Sequence, residues 1–312
     1  TGLVRSMRVQ GIAVGPDGPM QNVLVAIVNA GNNTLWASPG MVRPGADGQF
    51  VLPPLTPGHY LLIGRAGENG APESASMLYS GETEFFLNDR DLSGIVLQFA
   101  RGVSVSGRIV PPAGARPGDL GRVRLSIRAA DTRGAFAPAP PPASIQDDGT
   151  YRFDGVGPGA YRVSGVFPAG WSLRSAVVNG RDTLDAPLDV KAGQPVADLL
   201  LTMTGHPTEL VGMLSDANGR PTSEYSMLAF STDKSLWAVP RRVSGAVRLS
   251  SDGRYRIVAL PPGEYYLTAI TDFDPEQLGD PSFLESLIAA SVKVTLAESE
   301  RKDFNLKIGG GS

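Results

Sequence analysis

The sequence predicts an all-β chain built as three tandem antiparallel β-sandwich domains. Three observations carry this. The chain repeats itself, with a paired-turn signature centred on Gly48, Gly149 and Gly253, at offsets of 101 and then 104 residues. Each repeat alternates short apolar stretches with Gly- and Pro-rich turns, the pattern of a sandwich. Helix signals are nearly absent.

Composition narrows the function classes. The 312 residues include 38 Gly and 26 Pro, no Cys and two His, His59 and His206. Lys and Arg number 28 against 31 Asp and Glu, a net charge of −3. With no basic excess to neutralise phosphates, no nucleic-acid partner is expected. Without Cys there is no thiolate nucleophile, zinc ribbon or disulfide framework. No apolar run approaches the ~20 residues that cross a bilayer, so the chain is not expected to span a membrane. No signal-peptide pattern opens it, and Thr1 reads as the start of a mature or trimmed fragment. The tail Gly309-Gly310-Gly311-Ser312 reads as a linker outside the fold.

Each repeat opens on a strand, at Val9-Gln10-Gly11, Val105-Ser106-Gly107 and Leu210-Val211-Gly212. A turn rich in Gly and Pro follows, as at Gly15 to Pro19 and Asp216 to Pro221. A second strand comes next, such as Val23 to Val28 or Val123 to Ala129. Then comes Asp-Gly, at Asp47-Gly48, Asp148-Gly149 and Asp252-Gly253, which supplies positive φ for a tight hairpin turn. Two residues after each glycine stands an aromatic, Phe50, Tyr151 or Tyr255, and apolar residues recur four and seven positions after it. That alternation is one face of a strand. Pro-Gly follows at Pro57-Gly58, Pro158-Gly159 and Pro262-Gly263, in the order a type II turn favours. Tyr60, Tyr161 and Tyr265 open the next strand, each with a ring to bury and a hydroxyl that can reach a backbone group. Immunoglobulin-type sandwiches have a comparable corner tyrosine, and plain core packing is the equal alternative here. The closing strands alternate through Ile95, Leu97 and Phe99, Leu199, Leu201 and Met203, and Phe304, Leu306 and Ile308. One helix is expected, Pro281 to Ala289, with Asp280 as its N-cap. The expected core includes Val9, Val25, Ile27, Phe50, Leu52, Leu55, Tyr60 and Leu62, with their counterparts.

This order resembles the carboxypeptidase regulatory-like domain, of the transthyretin-like (prealbumin-like) and Cna-B-like group of Ig-like sandwiches. Three copies cover nearly the whole chain. The third is closest, through Thr208-Glu209-Leu210-Val211-Gly212 and Leu260-Pro261-Pro262-Gly263-Glu264-Tyr265, and Val178-Asn179-Gly180-Arg181-Asp182 is similar to tandem bacterial members. The resemblance implies sandwiches at 1–101, 102–206 and 207–308, with 309–312 as linker. It implies no catalysis within the domain, and a secreted or envelope-facing location. Some Cna-B-like relatives carry a Lys–Asn isopeptide bond. Repeat 1 has no Lys and repeat 2 only Lys191, while the four in repeat 3 lie off its first strand, so that bond is not expected.

Hydrolase chemistry finds no support. A Ser-His-Asp site needs a base beside its nucleophile. His59 sits in a turn position filled by Ala160 and Glu264 in the other repeats, and His206 sits beside Pro207 at a domain junction. Two isolated His cannot hold zinc. Acidic loops at Asp272, Asp274, Glu276 and Asp280 and at Asn88, Asp89 and Asp91 do not match a calcium-loop spacing. No metal or cofactor is expected.

Binding candidates remain. Trp36 and Trp237 each lie in a Leu-Trp-Ala triplet after the second strand, and Phe136 lies nearby in repeat 2. These rings either stack on a sugar or peptide, or fold over the sandwich. Arg122, Arg124 and Arg128 alternate with Val123, Leu125 and Ile127, which puts the arginines on the solvent face of one strand. Repeat 2 is mildly basic, with 11 Lys and Arg against 9 Asp and Glu. That face suits an anionic partner, or resists edge aggregation. The expected role is a non-catalytic extracellular or periplasmic module, a spacer and an adhesion or protein-recognition surface. Its partner would be a protein or polysaccharide at the cell surface. The alternatives are a carbohydrate-binding array, or the accessory part of a secreted peptidase.

Overall fold

A computed structural model describes residues 6–21, 23–30, 40–67, 77–116, 118–130, 140–271, 273–274, 277–278 and 280–308. These are mostly β, with one α-helix among them. No helix among the described residues is long and apolar enough to cross a membrane. The chain divides into two compact units. The first takes Thr1–Pro111, Ala115–Pro168 and Ser175–Thr202, and so holds repeat 1 and most of repeat 2. The second takes Pro112–Gly114, Ala169–Arg174 and Met203–Ser312, and so holds repeat 3.

The three repeats share one strand plan. The opening strands Val9–Gly15, Val103–Val110 and Glu209–Ser215 each pair in two directions. On one side runs the antiparallel aromatic strand, Gln49–Val51, Thr150–Val156 or Arg254–Val258. On the other runs a parallel closing strand, Leu92–Arg101, Val196–Thr204, or the pair Arg301–Asp303 and Leu306–Lys307. A second set of strands carries the corner tyrosines: Gly58–Gly67, Gly159–Val166 and Gly263–Ile270. These pair with Leu24–Asn29, Arg124–Ala129 and Ser226–Ser231, so that Tyr60 faces Asn29, Tyr161 faces Ala129 and Tyr265 faces Ser231. In repeats 2 and 3 the two sets are separate sheets. In repeat 1 the long strand Met77–Leu87 pairs with both Gly58–Gly67 and Leu92–Arg101, and joins the sets into one eight-stranded sheet.

Alternation buries one face of each strand. All eight core residues expected for repeat 1 are buried in one cluster. Repeat 3 has its own core around Leu210, Tyr255, Ile257, Tyr265 and Leu267. Within the first unit repeats 1 and 2 touch closely. A Cβ on Gly157 of repeat 2 would lie 2.1 Å from Ser80 Oγ of repeat 1.

The turns match expectation in place and differ in kind. Gly48, Gly149 and Gly253 have φ of 76°, 86° and 76°, but the aspartates before them do not have positive φ. Each glycine amide donates three residues back, to Gly45, Gln146 or Ser250, so each turn is a type I turn closed by a left-handed glycine rather than a two-residue primed turn. The Pro-Gly segments are not type II turns. Gly159 and Gly263 have φ of 146° and 153°, far from the +80° such a turn needs, and Gly58 has no positive φ. There the missing Cβ makes room for the tyrosine ring two residues on: it would lie 3.2 Å from Tyr60 and 3.5 Å from Tyr161. The hydroxyls of Tyr60 and Tyr265 donate to the carbonyls of Thr56 and Pro261, four residues back, at 2.9 and 2.7 Å. The helix forms over Pro281–Leu287, and the Asp280 side chain accepts from the Ser282 amide.

Candidate functional site

One device recurs in every repeat and shapes the surface beside it. Gly11, Gly107 and Gly212 stand directly opposite Phe50, Tyr151 and Tyr255 in the antiparallel register. A Cβ there would meet the closing-strand carbonyl of Ile95 at 2.6 Å, or those of Leu199 and Phe304 at 2.0 and 1.9 Å. At Gly107 and Gly212 the nearest atoms are backbone, so the strands would have to part; at Gly11 the Phe50 ring, at 2.5 Å, would have to move as well. In repeats 2 and 3 the tyrosine hydroxyl donates to that same carbonyl, from Tyr151 to Leu199 at 2.6 Å and from Tyr255 to Phe304. Burial pushes both phenols well above their ordinary range, so they stay neutral donors. The glycine lets aromatic and closing strand converge, and the hydroxyl satisfies the carbonyl that convergence buries.

The closing strand bends where it is drawn in. Its register slips between Val196 and Leu199, and Asp198 takes a left-handed φ of 59°. In repeat 1 the same position is Gly94, with φ of 81°. In repeat 3 the strand breaks after Asp303, and Asn305 Oδ1 accepts from the Met213 amide.

Outside this device, on the solvent face, lies a groove in each of two repeats. In repeat 2 it encloses about 750 Å³ between Ser106 and Arg108 on the opening strand, Thr150 and Arg152 on the aromatic strand, Ser144 and Gln146, and Asp198 and Leu200. In repeat 3 it encloses about 650 Å³ at the matching positions, with Arg254 and Arg256, Arg248 and Ser250, Arg301, and Asp303 and Asn305 on its lining. Glu209 organises the second groove, accepting from Arg256 and from Arg301 at 2.5 and 2.8 Å. The Arg256 hydrogen bond, with the charges of Arg256 and Arg301, holds the Glu209 carboxyl below its ordinary value. In repeat 2, bonds from the Thr150 amide and hydroxyl hold Asp148 low in the same way. Both grooves are open, and they mix guanidinium donors with carboxylate, amide and hydroxyl groups. The sequence reading did not find them. Its available signal was the opening-strand glycine together with an aspartate just before Leu199 or Phe304.

The residues singled out from sequence fall elsewhere. Trp237 does not present a ring to solvent. It is 5% exposed, packs edge-on to Phe230 at 5.7 Å and donates its Nε1–H to the Ser231 carbonyl at 2.7 Å. With Leu228, Ile270 and Leu284 it forms a second core on the outer side of the tyrosine-bearing sheet. A buried ring has no face left for a sugar. Trp36 and Phe136 lie outside the described residues. Arg122 is not on the strand, because it ends the short 3₁₀ turn Leu120–Arg122. Arg124 and Arg128 are exposed on Arg124–Ala129 as expected, and Arg124 Nη1 turns back to the Gly121 and Val123 carbonyls. His59 stacks on Phe86 at 4.1 Å and lies 3.1 Å from Glu84, an arrangement with no nucleophile in it. No three His, Asp or Glu side chains gather as a metal site among the described residues. Asp272 and Glu276 of the acidic loop lie outside them.

No protein-family model and no curated protein matches the chain. Among solved structures, the Streptococcal ancillary pilin is 13% identical, covering 97% of this chain and 99% of that one with a TM-score of 0.28. The Bacillus anthracis TIE protein is 12% identical at a TM-score of 0.23; the match covers 97% of this chain and 50% of that one, so this chain spans half its length. The Klebsiella pneumoniae 5-hydroxyisourate hydrolase is 18% identical, covering 31% of this chain and 98% of that one at a TM-score of 0.22. Overlaps this loose do not fix a common fold, and the strand pairing described above stands on its own.

Proposed function

We propose that the chain is a non-catalytic module of three tandem sandwiches, at 1–101, 102–206 and 207–308. It works outside the cytoplasm or at the cell envelope as a spacer and recognition surface. One observation carries the reading. The buried hydroxyls of Tyr60, Tyr151, Tyr255 and Tyr265 are spent on backbone carbonyls, while clustered charged side chains line open grooves on sheet faces. Catalysis calls for the reverse, a poised group held in a dry cleft. The three-domain division is supported by the repeat of the whole strand plan, and the location by the motif resemblance. The exposed Arg124 and Arg128 strand face is a further contact surface of the module.

The test is to immobilise the folded chain and expose it to solubilised envelope proteins and matrix polysaccharides, with repeat 3 deleted in a parallel sample. A defined protein or sugar, retained at a stoichiometry that falls with the deletion, supports recognition. Hydrolysis of a peptide, ester or glycoside panel, abolished by one substitution, overturns the reading.

A further inference from the structure

We propose that the two outer-face grooves are carbohydrate sites for an acidic, carboxylate-bearing polysaccharide. This rests on the recognition reading and names its ligand. Three observations point there. First, the groove recurs at matching positions in repeats 2 and 3 although the residues around it differ, so it is not an accident of one loop. Second, its chemistry is two-sided. Arginines lie beside an aspartate and an amide: Arg108 and Arg152 with Asp198 and Gln146, and Arg256 and Arg301 with Asp303 and Asn305. Sugar hydroxyls need acceptors and donors side by side, and a uronate carboxylate needs a guanidinium fork. The charged side chains on both linings are net cationic, so the complement is an anion. In repeat 2 the partner of Arg152, Asp154, forms an exposed pair that a ligand carboxylate replaces at little cost. In repeat 3 Arg256 and Arg301 stay with the half-buried Glu209, and Arg254, in an exposed pair with Asp252, is the guanidinium a ligand can take over.

Third, in the repeat 2 groove Asp198 is held in a left-handed conformation that a glycine would adopt freely, as Gly94 does at the matching position of repeat 1. A side chain kept in an unfavourable backbone conformation on a ligand-sized surface fits use better than packing, since Asp198 is exposed.

The experiment is a binding titration of the full chain with polygalacturonate at low salt. Hydroxyethyl cellulose serves as the neutral control and polyglutamate as the acidic polypeptide. The expected result is salt-sensitive binding of polygalacturonate that exceeds both controls. Arg152→Gln separates the proposal from folding artefacts, because breaking its exposed pair with Asp154 should leave the unfolding midpoint nearly unchanged while weakening binding about tenfold. Arg152→Gln with Arg254→Gln should lose more than either alone, as two sites on one polymer require. Equal binding of polyglutamate makes the grooves plain anion or protein contacts and overturns the proposal. So does unchanged affinity in the Arg152→Gln chain. Failure of all three polymers, with an envelope protein still retained on the immobilised chain, sinks this inference and leaves the recognition module standing.

Discussion

The same sheet face is built in opposite ways in repeats 2 and 3. In repeat 3 the outer side of the tyrosine-bearing sheet carries Leu228 and Phe230, with Tyr266 directly across from Phe230 and their rings 5.3 Å apart. Trp237 and Leu284 of the helix Pro281–Leu287 bury it. In repeat 2 the corresponding positions are Ser126 and Arg128, with Arg162 directly across from Arg128. There the Ser126 and Ser164 hydroxyls meet at 3.0 Å, and Arg162 Nη1 donates to the Leu184 and Asp185 carbonyls. Identical pairing geometry thus serves an apolar second core in one repeat and a polar face in the other. The inward residues fix the sandwich, and the outward ones are free to differ.

The sharpest way to break this comparison is to exchange the faces. Phe230→Arg places the repeat 2 residue beneath Trp237, where a guanidinium has no partner and no water. The expected cost is about 5 kcal/mol or more, enough to unfold repeat 3, read as loss of its urea transition. Trp237→Ala removes the cover instead of charging the floor. It leaves a cavity over Phe230 and frees the Ser231 carbonyl, at an expected cost of about 3–5 kcal/mol. A loss under 1 kcal/mol by urea denaturation would show that the ring is a surface feature after all.

Most of the fold was legible because it is written in spacing. Asp-Gly, Pro-Gly and the aromatic two residues after each glycine are local signals, and period-2 alternation named the core of repeat 1 down to individual residues. Turn type was not legible, since Asp-Gly and Pro-Gly each suit more than one backbone geometry. The fate of Trp237 was not legible either. Whether a loop ring faces water depends on Leu284, which arrives 47 positions later in the sequence. The grooves escaped for a similar reason, because strands far apart in the chain assemble their linings. The helix was legible through its own cap and proline, yet nothing local says that it lies on a sheet.

A third test moves to the opening strands. Repeat 3 begins its strand on Glu209, bound to Arg256 and Arg301, where repeat 2 has Ser104. The folded state depresses the Glu209 carboxyl, so its contribution is complete above the ordinary value of 4.5 and fades as pH falls through the lower folded value. Glu209→Gln should therefore be less stable than the parent at pH 7, with the gap closing in acid. A gap that widens below pH 4.5 would contradict the sign.

The smallest effect probes the open face itself. Arg128 stands exposed and directly opposite Arg162, and like charges in that position oppose pairing. Arg128→Glu turns the repulsion into an attraction and should stabilise repeat 2 by about 0.2–1 kcal/mol, measured as a shift in urea midpoint at low salt. Salt should erase most of the gain, because exposed pairs are screened within about 10 Å at 0.1 M. The same change in repeat 3, Phe230→Glu, should be ruinous at any salt, since burial and not charge pairing decides there. If Arg128→Glu instead destabilises, the Arg128 guanidinium is already neutralised within the fold. The polar face of repeat 2 would then be a closed ionic layer, as much a built cover as the tryptophan and helix of repeat 3.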